Sequence, residues 1–145
     1  MAILKQDVCK TTTDLDDLKK VLVWFDDFQG LIPQTVWLQC QLALIEGFTN
    51  AVRHAHKQLP QETPITIEVV VASEYLDIKI WDKGPGFDFG SMLNRKLKTT
   101  TLESVGGRGL RIMQQVADTV EYLSAGADGN CLHICKYFSE LSTAG

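Results

Sequence analysis

Three short clusters in this 145-residue chain carry residue types that suit phosphate and magnesium chemistry. The first is Glu46, Asn50 and His54, each four residues from the next. On a helix that spacing puts all three on one face. A carboxylate there can act as a general base, and an amide oxygen can ligate Mg2+, which prefers oxygen ligands. The alternative is a solvated polar face, which every amphipathic helix has.

The second cluster is Asp82-Lys83-Gly84-Pro85-Gly86, just past a run that reads as a strand. Glycine lets backbone approach a ligand closely. A fixed carboxylate at Asp82 can accept a hydrogen bond from an amino group such as that of adenine. A plain turn is the alternative, since Asp, Gly and Pro are common turn formers. The third is Gly106-Gly107-Arg108-Gly109, at the head of a helical pattern. Bare amides at a helix N-terminus hold phosphate, helped by the helix dipole. Arg108 can add a charge-assisted bond. The pattern is neither GxxxxGK[ST] nor a GxGxxG after a strand. A flexible connector is the alternative, and three glycines in four residues argue against it, because each costs chain entropy on ordering.

The elements that must position these clusters follow from periodicity. Residues 2–10 read as an opening strand. Thr13 or Asp14 caps a helix that carries Leu15, Leu18, Leu22, Phe25 and Phe28 at spacings of three and four, to about Gln29, with Gly30 ending it. Pro33 opens a second helix to about Gln58, with Leu38, Leu42, Ile45, Phe48 or Thr49, and Val52 inward. Residues 65–72 and 75–81 read as strands joined by a tight link at Ser73-Glu74. Helical spacing resumes over 110–117, and two strands follow at 120–124 and 131–138, separated by a turn at 127–130. The polar stretch between the glycine clusters is long for a loop, as a lid or binding loop is. Strands joined by hairpins with helices grouped predict an α+β two-layer sandwich, its sheet mixed or mostly antiparallel, its helices on one face.

Composition limits the function classes. Hydrophobic residues make up 45% and charged residues 22% of the chain, an ordinary globular balance. One domain over residues 1–145 is expected. The net charge of −4 offers no uniformly basic surface, so nucleic acid is not an expected partner. No stretch approaches the roughly 18 apolar residues of a membrane span, and the N-terminal residues do not resemble a signal peptide. The four cysteines form no CxxC pair, so reduced thiols in a cytoplasmic protein are expected.

Together and in this order, the three clusters resemble the N, G1 and G2 boxes of the Bergerat ATP-binding fold. That superfamily joins gyrase B, the ninety-kilodalton heat-shock chaperones, histidine kinases and MutL. The short domain with E-x-x-x-N-x-x-x-H is similar in particular to the anti-sigma-factor serine kinases, over about residues 13–138. The resemblance implies ATP and Mg2+ as cofactors. It places Asn50 on Mg2+, Glu46 as the proposed base for a substrate hydroxyl, and His54 in the ATP site. It puts Asp82 on the adenine amino group, Gly84 and Gly86 beside the base, and Gly107, Arg108, Gly109 and Leu110 on the phosphates. Residues 88–105 correspond to an ATP lid.

The implied activity is serine/threonine protein kinase combined with anti-sigma factor. A small anti-anti-sigma (STAS-type) protein is the implied substrate, a sigma factor the competing partner, and homodimerisation the family's habit. The alternatives are a nucleotide-responsive module that sequesters a partner without phosphorylating it, and a histidine-kinase-like ATPase domain separated from its phosphoacceptor. Two positions depart from the family pattern. Val105 stands where a basic residue is common. Gly129-Asn130 replaces a Gly-Thr whose Thr lies near adenine, and Asn130 can also hydrogen-bond there.

One further cluster invites a metal reading. Cys131, His133 and Cys135 alternate along a strand and share a face. They offer zinc three ligands but no evident fourth, and cysteines that simply pack are the alternative. Trp24, Trp37 and Trp81 are expected in the core or at a partner contact.

Overall fold

The computed structural model describes residues 2–85, 107–124 and 129–139. The chain opens with β1 (Ile3–Thr11). The Asp14 carboxylate then accepts the Asp16 N–H at 2.9 Å and caps a 3-10 turn, Leu15–Asp17, which leads into α1 (Leu18–Phe25). The expected longer helix stops at Phe25 and tightens into a second 3-10 turn, Asp26–Leu31. Phe25 and Phe28 are both fully buried. Their spacing of three suits that tighter turn, where residues three apart eclipse.

Pro33 stands at the head of α2 (Gln34–Asn50). Its α-helical geometry ends at Asn50, and a wider π turn, Ala51–Ala55, replaces the expected run to Gln58. The buried side of α2 also differs from expectation. Leu38 and Leu42 are 50% and 40% exposed, while Trp37, Cys40, Ala43, Leu44, Gly47, Phe48 and Ala51 are buried. α2 packs against both the sheet and a later helix, and Gly47 lets it sit directly on Ile80 and Leu132. Phe48 and Val52 face the core as expected, and the close approach at Gly47 sets the rotation that leaves Leu38 and Leu42 outside.

The remaining elements are β2 (Ile65–Ala72), β3 (Tyr75–Asp82), α3 (Gly107–Val116), β4 (Thr119–Ser124) and β5 (Asn130–Tyr137). The strands form one sheet in the order β1-β2-β3-β5-β4. Every pairing is antiparallel, so the expected mixed or mostly antiparallel sheet is antiparallel throughout the described residues. Register aligns Val69 with Ile78 and Ile78 with Ile134, and Ile67 with Ile80 and Ile80 with Leu132. These rows pack with Phe25, Phe28, Leu44, Phe48, Leu110 and Met113 into one core between sheet and helices. Fully burying such a side chain contributes about 1.5–3 kcal/mol.

Trp37 stacks on Phe25 with centroids 5.7 Å apart and is core, whereas Trp24 donates its indole N–H to Asp7 Oδ2 at 2.9 Å. Trp81 donates to Glu68 Oε1 on the neighbouring strand at 2.7 Å. Among the described residues, no helix is long and apolar enough to cross a membrane.

Cys131, His133 and Cys135 lie on the sheet face turned away from Leu132 and Ile134, hence away from the helices. Both thiols are buried, and burial raises their pKa values to about 11 and about 12. No group of three His, Cys, Asp or Glu side chains capable of holding a metal occurs among the described residues.

Candidate functional site

Register alone brings Asp82 and Asn130 together. Asp82 ends β3, Asn130 begins β5, and the two are paired. Both face inward and are buried, at 2% and 4% exposure. A buried polar pair must satisfy itself. Asn130 Nδ2 donates to Asp82 Oδ1 at 2.9 Å and to the Gly84 carbonyl at 2.8 Å. The Gly84 N–H returns to Asp82 Oδ1 at 2.9 Å, and the Tyr122 hydroxyl donates to Asp82 Oδ2 at 2.8 Å. Burial, followed by the adjoining Asp82 carboxylate, pushes the Tyr122 pKa well above its ordinary value. The phenol therefore remains a donor.

Glycine is required at two places around this pair. A Cβ on Gly84 would overlap the Ala55 carbonyl, and a Cβ on Gly129 would overlap that of Asp82. Gly129 also has φ +96°, which side chains rarely adopt.

His56 anchors the loop from the other side. Its ring is 1% exposed. Nε2 accepts the Lys83 N–H at 2.7 Å, so Nδ1 carries the proton of the neutral ring and donates to Thr13 Oγ1, also at 2.7 Å. The Thr13 hydroxyl then donates to the Thr63 carbonyl at 2.7 Å. Burial lowers the His56 pKa, partly opposed by Asp82.

The third component comes from α2 and α3. The N–H groups of Gly107, Arg108 and Gly109 in the first turn of α3 have no acceptor within the helix, as at any helix start. Gly109 brings this end against the polar side of α2. A Cβ there would stand 3.0 Å from Glu46 Oε2 and 3.3 Å from Asn50 Nδ2. Asn50 Nδ2 is buried and finds no hydrogen-bond partner among the described residues. Such an atom costs free energy until a ligand or water meets it.

Asp82, Tyr122, Asn50, Ala51, Leu110 and Leu132 line one cleft. Its apolar walls with a few placed polar groups are the lining that small-molecule sites use.

The structure thus assembles Glu46, Asn50, Asp82, Gly84, Gly109, Leu110 and Asn130. Gly107 and Arg108 join by their backbone in the first turn of α3. His54 lies in the π turn and lines a separate depression with Lys57, Gln58 and Pro85, because the wider turn rotates it away from the row of Glu46 and Asn50. Gly86 and the lid expected at 88–105 lie outside the described residues. Sequence reasoning missed Tyr122 and the His56–Thr13 relay. Alternation along β4 gave the one available signal, since Tyr122 falls on the inward row.

For Mg2+, the donor set fits. Asn50 presents an amide oxygen beside a helix N-terminus, and Mg2+ is commonly held by one or two protein oxygens plus substrate phosphates.

This two-layer fold, with a carboxylate clamp at one end of the cleft and a glycine-led helix start at the other, defines a nucleotide-type ATPase domain. Residues 11–136 match the family model of the histidine kinase-like ATPase domain, and the chain belongs to that family. The chain is 36% identical over 87 residues to the serine-protein kinase RsbW of Bacillus pumilus (strain SAFR-032), covering 56% of this chain and 54% of that protein. It is 32% identical over 95 residues to the anti-sigma F factor of Bacillus cytotoxicus (strain DSM 22905 / CIP 110041 / 391-98 / NVH 391-98), covering 65% and 64%. A third relative, the anti-sigma F factor of Oceanobacillus iheyensis (strain DSM 14371 / CIP 107618 / JCM 11309 / KCTC 3954 / HTE831), is 28% identical over 99 residues, covering 68% and 67%. The matched region thus spans about half to two thirds of these curated relatives.

Proposed function

We propose that this chain binds ATP with Mg2+ in the cleft and transfers the γ-phosphate to a serine of a small anti-anti-sigma protein, while also sequestering a sigma factor. The observation that carries the reading is the close approach of Gly109 to the ends of Glu46 and Asn50, which sets a helix start beside a carboxylate and an amide. The names of the relatives support the kinase and anti-sigma roles. Homodimerisation enters on the family resemblance alone.

Each residue has a task in this mechanism. Asp82 Oδ2 accepts the amino group of adenine, and the apolar walls from Leu110 and Leu132 enclose the base. The free amides of Gly107, Arg108 and Gly109, in the segment that runs to Leu110, hold phosphate oxygens, where the helix dipole favours negative charge. Bound Mg2+, held by Asn50 together with the phosphates, would neutralise charge on them. Glu46 orients the serine hydroxyl and receives its proton as the oxygen bonds to the γ-phosphorus and the β–γ bridging oxygen departs with ADP. Catalysis of this kind is largely positioning and electrostatics.

The test is phosphotransfer from radiolabelled Mg-ATP to candidate partners. Acid-stable label on a partner serine supports the reading, and equal labelling by wild type and Glu46→Gln removes Glu46 as the base. Nucleotide binding without any transfer, but with partner affinity that changes with nucleotide, selects the binding-module alternative.

A further inference from the structure

We propose that Tyr122 is a positioning residue for base specificity: its hydroxyl fixes Asp82 so that the carboxylate offers one remaining acceptor site to the 6-amino group of a purine. The inference rests on the nucleotide reading above and concerns the same cleft. An ionised carboxylate has roughly four acceptor sites. Among the described residues, Gly84 N–H and Asn130 Nδ2 occupy Oδ1, and the Tyr122 hydroxyl occupies one site of Oδ2. One site on Oδ2 remains, and Asp82 and Tyr122 line the same cleft.

The consequence is discrimination at the purine 6-position. An amino group at that position donates to the remaining site. A 6-oxo group brings an acceptor against an acceptor, and a buried polar group facing the wrong partner is heavily disfavoured. The rejection depends on the carboxylate being held. Without the Tyr122 hydroxyl, Oδ2 gains a second open site and the space left by the oxygen. A water there can turn to donate to a 6-oxo group, so the distinction blurs. Asn130 continues to hold Oδ1, so Asp82 itself stays in place.

The experiment is calorimetric titration of wild type and Tyr122→Phe with Mg-ADP and with Mg-IDP, which differ at the 6-position of the base. Wild type is expected to bind ADP in preference to IDP. In Tyr122→Phe, that preference is expected to shrink by roughly five- to tenfold, the worth of about one hydrogen bond, mostly through tighter IDP binding. An unchanged ADP-to-IDP ratio overturns the inference, whether both affinities fall together or neither moves. Failure of Tyr122→Phe to fold overturns it as well, since the hydroxyl would then serve the sheet rather than the base. Absence of ADP binding by folded wild type is a different result, and it removes the nucleotide reading itself.

Discussion

The buried His56 ring accepts the Lys83 N–H at 2.7 Å, and so ties the turn after α2 to the loop that follows Asp82. Only a neutral ring can do this, because protonated Nε2 would face another N–H. Burial lowers the folded pKa of His56 from 6.5, with Asp82 opposing. Burial lowers that of His54 too, helped by Arg53 and Lys57. As pH falls through about 6.5, the unfolded chain therefore takes up protons before the folded one. The stability from these rings is whole above that pH and is lost as pH drops toward the folded values. Urea unfolding at pH about 7.5 and about 5.5 should show lower stability in acid. His56→Gln should be less stable at the higher pH by about 1–3 kcal/mol and show a shallower acid loss. An equally steep loss in the variant would assign the pH dependence to other groups.

Asn50 should show opposite effects on stability and binding. Its buried Nδ2 finds no partner among the described residues. Replacing it with leucine removes that unsatisfied group, so Asn50→Leu should match or exceed wild-type stability by up to about 2 kcal/mol. It should also abolish measurable Mg-ATP binding. Thermal melts paired with calorimetry check both parts. Strong destabilisation would make Asn50 a structural residue.

Gly109→Ala separates space from backbone freedom. Its new Cβ would press on the ends of Glu46 and Asn50, which are flexible side chains. Alanine also favours the helix by up to about 1 kcal/mol over glycine. Stability should therefore stay within about 1 kcal/mol of wild type, while Mg-ATP affinity falls at least about tenfold as the polar ends shift. Unaltered affinity would separate this contact from the site.

Gly129→Ala should behave differently, since the overlap is with the Asp82 carbonyl and the backbone sits at φ +96°. Neither backbone can yield as a side-chain tip can. The cost should be at least about 1–2 kcal/mol, the strain of a left-handed non-glycine residue before any steric cost. Chemical denaturation measures it, and a variant as stable as wild type would show that the turn can re-form elsewhere.

Much of this was legible in the residues. β-branched alternation located β2 and β3, and the glycine-led start of α3 is marked by composition alone. Glu46, Asn50, Asp82 and Asn130 were visible because their types and spacing suit a task. The rotation of α2 was not, because Leu38 and Leu42 look as fit for the core as Leu44 and Phe48, and only the partners of the helix reveal which apolar row lies inside. Tyr122 was hidden for a related reason. An aromatic on a strand reads as packing until register places its hydroxyl on a carboxylate. His54 was grouped with Glu46 and Asn50 by assuming one uninterrupted helix, and nothing in AVRHA announces the wider turn.

That turn works as a spacer in the chain's arithmetic. Five residues here turn through about the angle that four cover in an α-helix. Wound instead as ordinary α-helix, the same five would swing everything beyond them by roughly a quarter turn around the axis. The imidazole would then leave both Thr13 and Lys83, and the Gly84 backbone would lose its seat against Ala55.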